Sequence, residues 1–180
     1  MLDQDPKILI IEAKRGDSRA FEALYRLYFT PVFRYLYART WSRELSEDLA
    51  QTTFVKAYTG LSGWRNMDKN PLTFFFTIAR NTLLDHWRDG REITVEREEL
   101  ERAVGGTSGH ELSMDRTLSG ELLKRTLLEL SEDQREVMTM RYFGELEYDE
   151  IAEATEKNED AVRQLHSRAL KQLRGKIQGL

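Results

Sequence analysis

Apolar residues recur at three- and four-residue intervals along nearly the whole chain, and no run of alternating β-branched residues lies between turn signals. A chain patterned in this way buries its stripes by packing helix on helix, so the expected fold class is all-α. The periodicity lapses once, between about residues 90 and 118. Four acids fall between Glu96 and Glu101, followed by Gly105-Gly-Thr-Ser-Gly109, the composition of a flexible linker. Two small helical domains are therefore expected, an N-terminal one over 1–92 and a C-terminal one over 119–180, joined by an acidic, Gly-rich linker over 93–118. A ~60-residue unit is marginal as an independent fold.

Local signals place the helices. Asp5-Pro6 opens a short helix that Gly16 closes. Asp17-Ser18 starts a second, with Phe21, Leu24, Tyr25 and Tyr28 on one face, and Pro31 is expected to break or kink it. A third helix is expected from about Ser42 to Tyr58 and a fourth from Pro71 to about Arg88. Beyond the linker, Ser131-Glu-Asp-Gln134 is a capping-box signature and Gly144 a stop. Two short helices follow, about Tyr148 to Ala154 and onward from Glu159, with Asn158 a good N-cap for the second. Helix, short turn and helix in that order form a helix-turn-helix, whose second helix can enter a DNA major groove.

The absence of cysteine excludes disulfide scaffolds, thiolate zinc sites and thiol nucleophiles. Only His86, His110 and His166 are available as imidazoles, none at metal-ligand spacing, so neither cofactor nor metal is expected, and enzyme is a poor reading. No stretch approaches the ~20 apolar residues of a membrane span, and the N-terminus lacks signal-peptide character. A cytoplasmic protein without membrane insertion or small-molecule substrate is expected.

Net charge is −4, which hides a strong partition. Residues 1–92 carry a small basic excess. Residues 145–160 hold eight acids and one lysine, whereas 161–180 hold five bases and no acid. In the last helix Val162, Leu165, Ala169 and Leu173 share one face. The opposite side gathers Asp160, Gln164, Ser167 and Lys171, flanked by Arg163, Arg168 and Arg174. These donors suit phosphates and base edges, although a basic helix C-terminus also suits the helix dipole.

Two faces of the N-terminal segment also stand out. In the third helix Ala50, Phe54, Ala57, Tyr58 and Leu61 form the expected buried stripe, and Asp48, Gln51, Thr52 and Val55 the opposite face. In the fourth, Phe75, Phe76, Ala79, Leu83 and Trp87 point inward. Thr77, Arg80, Asn81, Leu84, Asp85 and Arg88 lie on the other side, with Arg91 just beyond. Before it runs Trp64-Arg-Asn-Met-Asp68-Lys69-Asn70-Pro71. An aromatic beside bases and amides suits unstacked nucleobases, and equally an ordinary core aromatic beside a surface loop.

Together these segments resemble the extracytoplasmic-function (ECF) sigma factors of bacterial RNA polymerase. SEDLAQTTFVKAY at 46–58 is similar to that family's polymerase-binding helix and FTIARNTLLDHWR at 76–88 to its promoter-reading helix. LLELSEDQREVMTMRYFGELEYDEIAEAT at 127–155 with DAVRQLHSRALKQLR at 160–174 resembles its C-terminal domain. The resemblance implies that Asp48, Gln51, Thr52 and Val55 meet the β′ coiled coil of core RNA polymerase, with the β subunit a further contact. It implies that Asn81, Asp85 and Arg88 face the minus-ten element, with Arg80 and Arg91 on phosphates. The loop Trp64 to Pro71, with Asp68, Lys69 and Asn70, would hold a flipped-out base. Arg163, Gln164, Ser167, Arg168 and Lys171 would read the minus-thirty-five element. An anti-sigma factor is an implied partner, beside the core polymerase and promoter DNA.

The chain departs from the family pattern at Phe74, where Trp is common, and at Glu147, where a Ser or Thr cap worth ~1 kcal/mol is usual. Thr155-Glu156 replaces Leu-Gly at the turn, and Glu159-Asp160-Ala161 replaces a more neutral helix start. The alternative reading is a stand-alone helix-turn-helix regulator, which would have no use for the Asp48–Val55 face.

Overall fold

The computed structural model describes the backbone of residues 5–65, 69–101 and 118–177, and side chains within 5–65, 69–90 and 123–175. Among the described residues there are eight α-helices and no strand. Helix α1 (Pro6–Lys14) starts where the Asp5 side chain accepts from the Lys7 amide at 2.9 Å, and Gly16, at φ +96°, ends it. Helix α2 (Ser18–Thr40) is capped by Asp17, which accepts from the Arg19 amide at 2.8 Å.

Pro31 neither ends α2 nor divides it. Its ring removes one backbone hydrogen bond and costs ~3 kcal/mol. Leu24 and Tyr28 before it, and Val32, Tyr35 and Leu36 after it, are all buried on one continuous stripe. Burying each such side chain contributes about 1.5–3 kcal/mol, so the stripe outweighs the proline.

Helix α3 (Arg43–Gly60) is capped by Ser42, and a 3-10 turn (Leu61–Gly63) leads toward α4 (Pro71–Glu101). The aromatic side chains interlock: Tyr25 meets Phe54 edge-on at 4.8 Å, and Phe75 lies 5.1 Å from Phe54 and 5.2 Å from Tyr28. Ala50, Phe54, Ala57 and Leu61 are buried as expected, but Tyr58 is 53% exposed. It lies at the margin of the stripe, where its ring covers Phe21 at 4.9 Å while the rest faces solvent. Helix α4 also runs past Arg88 to Glu101, so the first residues of the acidic 93–118 stretch are helical. Residues 102–117, which include the Gly-rich run, lie outside the described residues.

The C-terminal segment comprises α5 (Leu118–Leu128), α6 (Glu132–Tyr142), α7 (Tyr148–Thr155) and α8 (Glu159–Ile177). The capping box before α6 is formed: Ser131 Oγ accepts from the Gln134 amide at 3.3 Å, and Gln134 Oε1 from the Ser131 amide at 3.0 Å. Asn158 caps α8 by accepting from the Ala161 amide at 2.7 Å. At α7 the missing Ser or Thr is offset by the other arm of a box, in which the Glu147 amide donates to Glu150 Oε2 at 2.7 Å.

The two segments share one core. Val137, Met140, Leu146, Ile151 and Val162 belong to the same buried cluster as Tyr35, Phe75, Phe76 and Leu83. A second cluster of Leu127, Leu130, Met138 and Ala169 packs against Trp41, at the C-terminus of α2. The C-terminal segment thus gains from the N-terminal one the burial that its size denies it. Gly144 is more than a helix stop at this junction. A methyl there would lie 2.5 Å from the Phe76 ring and 2.7 Å from the Met140 carbonyl oxygen, so only glycine permits the approach.

The turn between α7 and α8 carries strain. Glu156 adopts the left-handed conformation, φ 57° and ψ 32°, which costs a side-chain-bearing residue about 1–2 kcal/mol. Glu156→Gly is expected to stabilise the chain by about 1 kcal/mol. Thermal unfolding should register it as a rise of a few degrees in Tm.

Candidate functional site

Three surfaces were singled out by the sequence, and the fold treats them differently. Asp48, Gln51, Thr52 and Val55 are all exposed and line one shallow depression with Lys56. They stand on α3 one helical turn apart, opposite the buried Ala50, Thr53, Phe54 and Ala57. Val55 is 64% exposed at the end of this row, an apolar side chain left in solvent beside polar neighbours. Lys56 reaches Asp85 of α4 at 3.4 Å and ties this face to the next helix.

On α4, Asn81, Leu84 and Arg88 are exposed, and Arg88 pairs with Asp85 at 3.1 Å. Arg80 is not open to solvent in the same way. Its Nε lies 3.1 Å from Glu136 Oε1 on α6, and its side chain is one-fifth exposed. Lys69 Nζ lies 2.7 Å from Glu153 Oε2, and Asn70 Nδ2 donates to Glu150 Oε1 at 2.7 Å, both acids on α7. Trp64 is buried against Phe74 at 5.8 Å between ring centres, and its carbonyl accepts from Lys14 Nζ at 2.6 Å. The indole packs on α4 while the backbone carbonyl ties the loop to α1, and the ring is buried in the core. Asp68 and the Arg91 side chain lie outside the described residues.

Glu136 is the centre of a charge cluster that no local sequence pattern announces. Its side chain is 6% exposed and faces Arg80, Arg39 (3.9 Å) and the Tyr35 hydroxyl, which donates to it at 3.4 Å. Arg39 is buried too, pairs with Glu132, and stacks on the Trp87 ring at 5.1 Å. Burial, and then the adjacent Glu136 carboxylate, push the Tyr35 phenol far above its ordinary range, so it stays a neutral donor. Glu132 and Glu136 lie outside the acidic run of 145–160, so the charge partition along the chain carried no signal for this cluster either.

In the helix-turn-helix, Gln164, Ser167, Arg168 and Lys171 are exposed along α8. Arg163 is exposed but engaged. It pairs with Glu159 through Nε at 2.9 Å, and its guanidinium lies 4.5 Å over the Tyr148 ring. Glu159 at the start of α8 therefore has a partner on the helix itself. His166 sits beneath, with Nε2 3.0 Å from the Tyr142 hydroxyl and Nδ1 3.1 Å from the Tyr148 hydroxyl. Both ring nitrogens are thereby satisfied, and the imidazole joins α6, α7 and α8. Among the described residues no group of three His, Cys, Asp or Glu could hold a metal, and no helix is long and apolar enough to cross a membrane.

Residues 24–93 match the family described as sigma-70 region 2, and residues 120–173 the family described as sigma-70, region 4. The chain is 37% identical over 144 residues to RNA polymerase sigma factor YlaC of Bacillus subtilis, covering 78% of this chain and 80% of that one. It is 30% identical over 183 residues to the ECF RNA polymerase sigma-E factor of Salmonella typhimurium, covering 97% and 95%. Its fold is similar to that of the sigma factor RpoE of Bartonella quintana, solved in complex with the anti-sigma factor NepR. That match has a TM-score of 0.67 and 22% identity, and covers 88% of this chain and 96% of the other.

Burial, and then the charge of Arg141, lower the His166 pKa from 6.5. The unfolded chain thus takes up the proton at a higher pH than the folded chain does. Stability contributed by neutral His166 is present above about pH 6.5 and lost as pH falls toward the lowered folded value. His166→Gln is expected to have a lower Tm at pH 7 but a smaller further loss between pH 7 and 5. Thermal melts of both proteins across that range check it, and parallel slopes would assign the acid sensitivity elsewhere.

Proposed function

Because the chain belongs to the sigma-70 family of bacterial RNA polymerase sigma factors, in its ECF branch, we propose a division of labour among its three surfaces during promoter-directed initiation. It is an initiation factor that works through RNA polymerase and not a stand-alone regulator. Its domains are read as 1–92 and 119–180, with 93–118 as the connection. The exposed Asp48, Gln51, Thr52 and Val55 dock on the β′ coiled coil of the core enzyme, and the β subunit supplies a second contact. The observation that carries this is the exposure of all four on one face of α3, with the apolar Val55 among polar groups. A buried apolar contact with a polar rim is how protein interfaces gain affinity and register.

In this reading α4 and the loop before it take the minus-ten element. Asn81, Asp85 and Arg88 face bases, Arg80 and Arg91 face phosphates, and Asp68, Lys69 and Asn70 hold an unstacked base over the loop that Trp64 seats. Strand separation needs no catalytic group, because capture of unstacked bases offsets the cost of unpairing them. The factor is thus not an enzyme, and it acts in the cytoplasm where the polymerase is. Gln164, Ser167, Arg168 and Lys171, with Arg163 over Tyr148, read the minus-thirty-five element in the major groove. The net charge of −4 opposes unaided binding to duplex DNA, so the polymerase supplies most of the affinity.

An anti-sigma factor is a further partner. Support comes from the similarity in fold to a sigma factor whose solved structure contains one.

The test is co-elution of the chain with sigma-free core polymerase on gel filtration. Asp48→Lys with Gln51→Ala is expected to weaken binding at least tenfold while leaving helicity and Tm near those of the native chain. Undiminished co-elution of that variant would move the docking surface elsewhere.

A further inference from the structure

Of the α8 side chains assigned above to the minus-thirty-five element, Arg163 is the one held in place among the described residues. Gln164, Ser167, Arg168 and Lys171 stand in solvent. One Glu159 carboxylate oxygen accepts from Arg163 Nε at 2.9 Å and from one of its terminal nitrogens, and the guanidinium lies 4.5 Å over the Tyr148 ring. We infer that Glu159 and Tyr148 are positioning residues that fix Arg163 in the pose for reading a guanine, so that selectivity at that base pair depends on two side chains that touch no base. The inference rests on the proposed docking of α8 in the major groove.

These contacts leave one edge of the guanidinium open. Glu159 takes the Nε side, and the fork at the tip, one N–H from each terminal nitrogen, faces away from that carboxylate. The Arg163 side chain is 55% exposed, so the fork is within reach of a partner. Two parallel donors match O6 and N7, the adjacent acceptors that guanine places on its major-groove edge. An unrestrained arginine gives up rotamer freedom when it meets a base, whereas a clamped one has given it up on folding. Pairing with Glu159 also offsets the charge that would draw Arg163 to the nearest phosphate, leaving geometry to decide. The clamp is itself braced. The Tyr148 hydroxyl lies 3.1 Å from His166 Nδ1, and His166 Nε2 lies 3.0 Å from the Tyr142 hydroxyl, so the Tyr148 ring cannot turn aside without losing a hydrogen bond. Arg141 lies 5.2 Å from the same ring centre and is tied to Glu147 at 2.8 Å and to the Leu146 carbonyl at 2.7 Å.

The test uses holoenzyme assembled from the full chain and core polymerase, selecting from a fully randomised duplex library. The position at which Arg163→Ala relaxes the selected sequence is the one that Arg163 reads. Guanine is expected there, preferred about tenfold or more over the other bases by the native chain. Glu159→Ala and Tyr148→Leu are each expected to cut that preference severalfold at that position alone. Glu159→Gln keeps an acceptor oxygen and Tyr148→Phe keeps the ring face, so both are expected to retain most of it. A side chain that merely stabilised the fold would weaken binding to every sequence alike. Glu159→Ala instead removes a negative charge beside the DNA, and is expected to bind mixed-sequence duplex at least as tightly as the native chain. Preference for another base at the Arg163 position, or selectivity untouched by Glu159→Ala, would overturn the inference and leave the docking of α8 standing. If Arg163→Ala weakens binding to all sequences equally, the contact is to phosphate and the inference falls while that docking stands. If it alters neither affinity nor selected sequence, the assignment of Arg163 to DNA falls as well. The free chain offers a separate readout, since the Arg163 Nε–H resonance is expected to move downfield in Tyr148→Leu as the shielding of the ring is lost. A resonance that does not move would count against the clamp.

Discussion

Glu136 is a carboxylate taken almost wholly out of water, and the arrangement of the two domains follows from what it then requires. An isolated buried charge is costly, and breaking a buried pair costs about 3–5 kcal/mol. Its own helix supplies no cation to meet it at close range. The partners come from α2 and α4, as Tyr35, Arg39 and Arg80. Once these converge, the rest of the junction is constrained. Phe76 presses against Gly144, Ile151 and Leu146 complete the core around Phe75, and Trp41 closes the second cluster under α5 and α8.

The same requirement gives the charge partition a physical meaning. A DNA-facing surface must carry cations and amides, and in the absence of DNA such a surface repels itself and seeks anions. The acidic run approaching α8 meets that need within the molecule. It also sets α8 apart from the junction, since Glu159 holds Arg163 while Gln164, Ser167, Arg168 and Lys171 remain in solvent. The loop end of the α4 surface is covered by acids of α6 and α7, while Asn81 and Arg88 on α4 and the polar face of α8 are left open. That asymmetry fits a protein whose two DNA contacts are to be made in company with the polymerase.

Much of the local architecture was legible because it depends on neighbours in the chain. Asp5-Pro6, the Ser131–Gln134 box and the Asn158 cap all form as their side chains and the orphan amides of a helix start dictate. The α3 face was legible too, since a helix that buries Ala50, Phe54 and Ala57 must expose Asp48, Gln51 and Val55. Two readings gave way to packing. Pro31 was expected to break or kink α2, which instead runs unbroken along its buried stripe, and Tyr58 was expected to be buried but lies at the margin of its stripe against Phe21. Helix α4 was expected to stop near Arg88 and runs on to Glu101. Trp64 was equally ambiguous until the positions of Lys14 and Phe74 placed it in the core.

The sequence by itself determined the helices, their caps, the stripe that each would bury and the family to which they belong. All of these rest on spacings of a few residues, where geometry is set by 3.6 residues per turn. Only the tertiary structure decided which polar side chains are free and which are spoken for. Tyr35 and Glu136 are 101 residues apart, and Asn70 and Glu150 are 80 apart. No periodicity links such pairs, because their meeting is fixed by how whole helices pack and by the cost of leaving a buried charge alone.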